Sequence, residues 1–204
     1  GAAGGDKIRR FGNPTDIPIA GDWDGNGTDE IGVFRNGEWY FDGNGNGTWD
    51  RIPGGDGYAK FGTAGDKPVV GDWTGNGKSK VGVFRNGSWY LDLNGNGLWN
   101  GPIAGDGVSR FGNSTDAPIV GDGNADGKDK IGVFRGGWFY LDVDGTRAWN
   151  PTNASGDVSF RFGNATDLPL AGTWANNSSG VQSLPVAPSA AIVISAVTEP
   201  ASDE

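Results

Sequence analysis

The sequence predicts an all-β protein built from repeated four-stranded antiparallel units, and three observations predict it. A segment of about fifty residues recurs along nearly the whole chain, a period typical of propeller blades, solenoid turns and arrays. Each copy holds four short apolar runs, rich in aromatic and β-branched residues, between glycine-rich turns. No window keeps a helical period long enough to form a helix.

The first copy, residues 11–60, reads FGNPTDIPIAGDWDGNGTDEIGVFRNGEWYFDGNGNGTWDRIPGGDGYAK. The second spans 61–110 and the third 111–161, and a worn fourth opens at Phe162 with FGNATDLPLAGTW. In the first copy the strands are expected over Ile17–Ala20, Ile31–Phe34 and Trp39–Phe41, with a fourth running through Tyr58 and Lys60 to Phe61. Asn36-Gly37 and Asn86-Gly87 fall between the second and third runs. Asn-Gly favours a tight hairpin there because both residues tolerate positive φ.

Four strands per unit is the pattern of a propeller blade. The opening stretch Asp6–Gly12, DKIRRFG, matches the tails of the complete copies, so residues 5–12 can supply the last strand of the unit begun at Phe162. Closure gives a small four-bladed β-propeller; the competing arrangement is an open array. The expected organisation is a repeat domain over 1–184, with units 11–60, 61–110 and 111–161 and a partial unit 162–184 completed by 1–10. Residues 185–204 read as a linker and an extra strand near Ala190–Val197. That strand either fills the fourth unit, opens another domain or pairs with another subunit.

Composition narrows the function. Glycine and proline contribute 39 and 11 residues, but the glycines recur at matching places and read as turns, not as disorder. Nine Trp and ten Phe supply core material. The net charge of −9 argues against nucleic-acid binding, which needs a basic face. No apolar run approaches the ~20 residues that span a bilayer. The chain opens at Gly1 with neither an initiator Met nor a signal-peptide pattern, as a processed piece of a longer protein would. Histidine and cysteine are both absent, which removes Ser-His-Asp and Cys-His catalysis, the usual zinc ligands and disulfides. The remaining acids sit in repeated turns, so the chain is expected not to be an enzyme.

Those turns carry the chemistry. In loop 22–30, Asp22, Asp24 and Asn26 offer side-chain oxygens at positions one, three and five. Thr28 offers its carbonyl at seven and Glu30 a carboxylate at nine, with Gly27 at six for the bend. Calcium takes six to eight oxygens, and alternate residues of a tight loop can deliver them. A second loop repeats the spacing with Asp42, Asn44, Asn46 and Asp50. Its copies are Asp92, Asn94, Asn96 and Asn100, then Asp142, Asp144, Thr146 and Asn150, where Arg147 replaces the position-six glycine. The competing reading for all of them is metal-free Asx turns. Copies two and three of the first loop carry Lys80 and Lys130 at position nine, read as built-in cations facing Asp72 and Asp122.

The FG at each repeat start, GDWDGNG and the following IGVFR resemble the FG-GAP and VCBS-type repeats of integrin α-subunit propellers and of microbial surface or secreted proteins. The resemblance covers residues 5 to about 174 and implies calcium-binding loops, a propeller fold and a role in adhesion or as an accessory module. It depends most on the Asp-x-Asp-x-Asn-Gly-x-x-Glu loop, and the two lysines depart from it.

Two recurrent residue types have a functional and a structural reading. Trp23, Trp73, Trp174 and Trp49, Trp99, Trp149 could stack on sugars, but their recurrence fits packing between units. Arg35, Arg85 and Arg135 could ring a ligand, but their recurrence fits ion pairs with a nearby Asp. The function expected is a calcium-stabilised, secreted or cell-surface module for adhesion or scaffolding. Its partners would be other surface proteins, glycans or copies of itself. The alternatives are a carbohydrate-binding module and a structural subunit of an extracellular fibre or surface layer.

Overall fold

Asn36 and Gly37 reverse the chain with φ of 52° and 92°, and Asn86-Gly87 repeats the pair at 52° and 85°. Two successive positive φ values let a two-residue turn follow the natural twist of its strands. A Cβ on Gly37 would collide with the Gly62 carbonyl, so glycine is required there for space as well as for φ. The third copy uses Gly136-Gly137 at 58° and 87°. The computed structural model describes residues 8–151, 156–171 and 192–194.

Each hairpin sits at the centre of an antiparallel meander. The first sheet runs in the order β1 (Ile17–Gly21), β2 (Glu30–Arg35), β3 (Glu38–Phe41), β4 (Gly57–Lys60). The second is β5 (Lys67–Gly71), β6 (Lys80–Arg85), β7 (Ser88–Leu91), β8 (Gly107–Arg110). The third is β9 (Ala117–Gly121), β10 (Lys130–Arg135), β11 (Trp138–Leu141), β12 (Val158–Arg161). Registers repeat: Phe34 faces Trp39, Phe84 faces Trp89 and Phe134 faces Phe139. The chain is thus all-β, as its periodicity predicts. β13 (Leu168–Leu170) pairs antiparallel with β14 (Ile192–Ile194), which lies inside the expected extra strand. Residues 1–7, the 185–189 linker and the fourth loop around Thr173 and Trp174 lie outside the described residues.

The core lies between consecutive sheets. Phe34, Trp39, Phe41 and Ala59 of the first unit pack with Phe61, Val81 and Val83 of the second. Val69, Trp73, Phe84, Trp89 and Leu91 then pack with Phe111, Ile131 and Val133 of the third. Trp39 and Trp89 are fully buried, and their indole N–H groups donate to the carbonyls of Phe61 (2.7 Å) and Phe111 (2.8 Å). Phe61 and Phe111, which open the second and third repeats, are thereby fixed to the preceding sheet. In the third unit Phe139 replaces the Trp and stacks on Phe160 at 5.3 Å.

Loops add polar ties across the same boundaries. Ser79 N–H donates to the Asp22 carbonyl (2.8 Å) while Asp22 N–H donates to Ser79 Oγ (3.1 Å). Asp129 and Asp72 repeat the exchange at 2.9 and 2.8 Å, now through the Asp129 carboxylate. Lys60 N–H donates to the Gly97 carbonyl at 2.9 Å, and Ala59 packs where a Gly97 side chain would stand. Arg9 packs in the same way against Gly47.

Trp89→Phe removes the bond to the Phe111 carbonyl and leaves a partial cavity. It should destabilise the chain by about 1–3 kcal/mol, read as a lower midpoint in urea unfolding, whereas the third unit already tolerates Phe139.

Candidate metal centre

The loops joining the first and second strands of each unit are folded by their leading aspartate. Asp22 Oδ1 accepts from the N–H of Gly25 (2.6 Å) and Asn26 (3.0 Å), and Oδ2 from Gly27 (2.7 Å). Asp72 and Asp122 make the corresponding bonds to Gly77 and Gly127 at 2.6 and 2.8 Å. Asn26 Oδ1 accepts from Thr28 N–H at 2.8 Å, which completes the bend.

What these loops enclose is visible in the two copies that carry lysine. Lys80 Nζ lies 3.4 Å from Asp72 Oδ1, 2.7 Å from Thr74 Oγ1, 2.8 Å from Asn76 Oδ1 and 3.3 Å from the Lys78 carbonyl. Lys130 Nζ lies 3.5 Å from Asp122 Oδ1, 2.6 Å from Asn124 Oδ1, 2.7 Å from Asp126 Oδ1 and 2.9 Å from the Lys128 carbonyl. These are positions one, three, five and seven, the set expected from spacing alone. The ammonium marks the point on which the loop's oxygens converge. The position-one aspartates are not its closest contacts, because their oxygens are already held by loop N–H groups.

Loop 22–30 has the same path with Glu30 in place of lysine. Carboxylate oxygens of Asp22, Asp24 and Glu30 lie within 4.8 Å of one another. Burial pushes the Glu30 carboxyl above its ordinary range, and the charges of Asp24 and Asp22 push the same way. Asn26 Nδ2 donates to Asp24 Oδ2 at 2.9 Å and reaches Glu30 Oε1 at 3.5 Å. Thr28 lies on the exposed rim. Three carboxylates on one point with no internal cation fit a hard divalent ion.

The second loop class joins the third strand to the fourth. Asp42, Asp92 and Asp142 are buried at the ends of β3, β7 and β11. Each accepts from the residue at position six: Gly47 (2.7 Å), Gly97 (2.8 Å) and Arg147 (3.0 Å). Asn44 and Asn94 accept from the N–H groups of Asn46 and Asn96, both at 3.0 Å, and Asp144 accepts from Thr146. Asn46 donates to Asp50 as Asn96 does to Asn100, both at 2.5 Å.

Only the third copy gathers three acids within 4.8 Å among the described residues: Asp142, Asp144 and Asp157. Spacing did not reveal Asp157 or its counterparts Asp56 and Asp106. They follow a glycine just before the fourth strand, and that recurrent Gly-Asp was the available signal. Each caps the loop by accepting from the position-nine N–H, of Asp50, Asn100 (2.5 Å) or Asn150 (2.7 Å).

The recurrent arginines form bidentate pairs, Arg35 with Asp16, Arg85 with Asp66 and Arg135 with Asp116, with N–O distances of 2.6–2.7 Å. Each guanidinium also covers a tyrosine ring, Tyr40, Tyr90 or Tyr140, at 4.9–5.0 Å. Arg35 holds Asp16 below the usual carboxylate range. Trp73 is buried and Trp23 packs on Phe41 at 4.3 Å, whereas Trp99 and Trp149 stay 40% and 43% exposed. Trp49, Trp99 and Trp149 meet Phe11, Phe61 and Phe111 edge-on, so they line an outer cleft and not the buried core.

The chain matches no family model, no curated protein and no solved structure. Among the described residues no helix is long and apolar enough to cross a membrane.

Lys130 carries Asp126 down to about 2 from 3.8. A depressed carboxyl contributes stability above its unfolded value and loses it as pH falls through its folded value. Asp126→Asn should therefore be less stable than the parent at neutral pH. The gap should close as pH falls from 3.8 to about 2, read by urea unfolding across that range.

Proposed function

We propose that this chain is a calcium-stabilised repeat module, related to the FG-GAP and VCBS-type repeats, working outside the cell in adhesion or scaffolding. The observation that carries the reading is the pair of lysine ammonium groups, each held by the oxygens at positions one, three, five and seven. Loop 22–30 presents that cage with three carboxylates, so a cation from solution takes the lysine's place. The ion's benefit extends beyond its loop, since Asp22 also bonds to Ser79 of the next unit. An ion bound only to the folded chain stabilises it by about 2.7 kcal/mol at a hundred times its dissociation constant.

The same reading closes the units into a four-bladed ring, with the N-terminal strand completing the fourth. It is supported by Arg9, which packs on Gly47 as Ala59 packs on Gly97. Deleting residues 1–10 should then speed amide exchange in β13, on the far side of the chain. An open array would leave β13 unchanged.

A carbohydrate-binding role is the second reading. It is favoured by a cleft of about 300 Å³ lined by Phe11, Arg35, Tyr40 and Trp49, which recurs at about 200 Å³ around Phe111, Arg135, Tyr140 and Trp149. Glycan binding abolished by Trp149→Ala would support it.

Excess chelator should lower the melting temperature of the parent by about 5–10 °C, the size expected for a few kcal/mol in a chain of this length. Glu30→Lys should melt higher than the parent in chelator and gain less from calcium. Asp24→Ala should weaken calcium binding more than Asn124→Ala in calorimetric titration, because Lys130 already fills the latter loop. A parent melt indifferent to chelator would reject the reading.

A further inference from the structure

The second loop class contains buried oxygens with nothing to bind. Asp142 Oδ1, Asn150 Oδ1 and Asp157 Oδ1 are buried and have no hydrogen-bond partner. Their residues are committed only through their other atoms. Asp142 Oδ2 accepts from Arg147 N–H, Asn150 Nδ2 donates to Asp144 Oδ2 (2.9 Å), and Asp157 Oδ2 accepts from Asn150 N–H. Asp142 is 1% exposed and Asp157 5%. Unpartnered buried carboxylate oxygens are costly, and like charges converging on one point add to the cost.

We infer that Asp142, Asp144, Asn150 and Asp157 form a second kind of divalent-cation site, one that clamps the end of β11 to the start of β12. The site goes beyond the calcium reading of loop 22–30 and does not depend on it. Its donors are all oxygen, which selects a hard cation such as calcium, with solvent completing the shell. A buried water could donate to two of these oxygens but would leave the repulsion among three carboxylates in place. Lys130 lies beside this loop near Gly145, but its ammonium is already engaged by Asp122, Asn124 and Asp126.

The other two repeats show how the sequence tunes the site. In the second, every corresponding oxygen has a partner. Asp92 Oδ1 accepts from Gly95 (2.9 Å) and Asn96 (3.2 Å), and Asp106 Oδ1 accepts from Asn94 Nδ2 (3.2 Å). Asp144 stands where that repeat has Asn94. A carboxylate adds charge and cannot donate, so Asp157 loses the donor that Asp106 has. The first repeat is intermediate. Asn44 donates to the Gly54 carbonyl instead, and Asp42 Oδ1 and Asp56 Oδ1 are left buried and unpartnered. The third repeat thus holds the cation best and the second does without one.

The test uses the full chain with Glu30→Lys, which removes loop 22–30 from the count, and calorimetric titration with calcium chloride up to millimolar concentration. This variant should still bind calcium. Adding Asp157→Asn should weaken that binding at least about tenfold, the floor set by losing even an outer partner of a metal ligand. Asp144→Asn, at a less buried residue, should do the same and covers the case in which Asp157→Asn fails to fold. Asp106→Asn should leave the binding unchanged. The inference is overturned if Glu30→Lys binds no calcium, or if it binds equally well with Asp157→Asn and Asp144→Asn. Failure of the loop 22–30 reading appears separately, as a parent isotherm that Glu30→Lys does not alter.

Discussion

The structure depends on oxygens gathered inside glycine-bent loops, around a lysine ammonium in two of them. Each loop leads with an aspartate that accepts backbone N–H groups and folds the chain back on itself. Folding the chain this way points further oxygens inward, and their mutual repulsion must be cancelled. Lys80 and Lys130 cancel it with an ammonium carried by the chain itself. Loop 22–30 has no such group and gathers three carboxylates that could hold a metal ion. One loop geometry thus occurs with and without a cation of its own, and the residue at position nine makes the difference.

These loops matter because they border the boundaries between units. Each sheet is only four short strands and buries little by itself. Burial comes from side chains shared with the next unit, such as Trp39 under Phe61 and Trp89 under Phe111. The Asp22–Ser79 and Asp72–Asp129 exchanges lie at the same boundaries. A loosened loop therefore weakens the contact between units as well as one turn. With no disulfide to hold the chain, charge neutralisation in the loops and aromatic packing between sheets share that task.

Small departures from the repeat have local consequences. Ala125 and Arg147 sit at φ of 58° and 61°, where the sister loops carry glycine, and a side chain there is strained. Phe139 gives up the indole bond and gains a stack on Phe160. The Arg–Asp–Tyr set is kept in all three complete units, which fits a structural role at the base of each hairpin.

The sequence alone determined the periodicity, the strands, the Asn-Gly hairpins and the alternate-oxygen spacing of the loops. All of these are local: they follow from side-chain alternation, from residues that tolerate positive φ and from offsets of two along one loop. Even the Lys80 and Lys130 substitutions were legible, since a cation at a ligand position announces itself by charge. The tertiary structure alone decided which acids from distant positions meet. Asp157 joins Asp142 across fifteen residues because β12 returns antiparallel beside β11, and no spacing rule within the loop reports that pairing. Nor could spacing show that Asp106 is satisfied by Asn94 while Asp157 is not, because hydrogen-bond satisfaction belongs to the packed arrangement of donors and acceptors and not to their order in the chain.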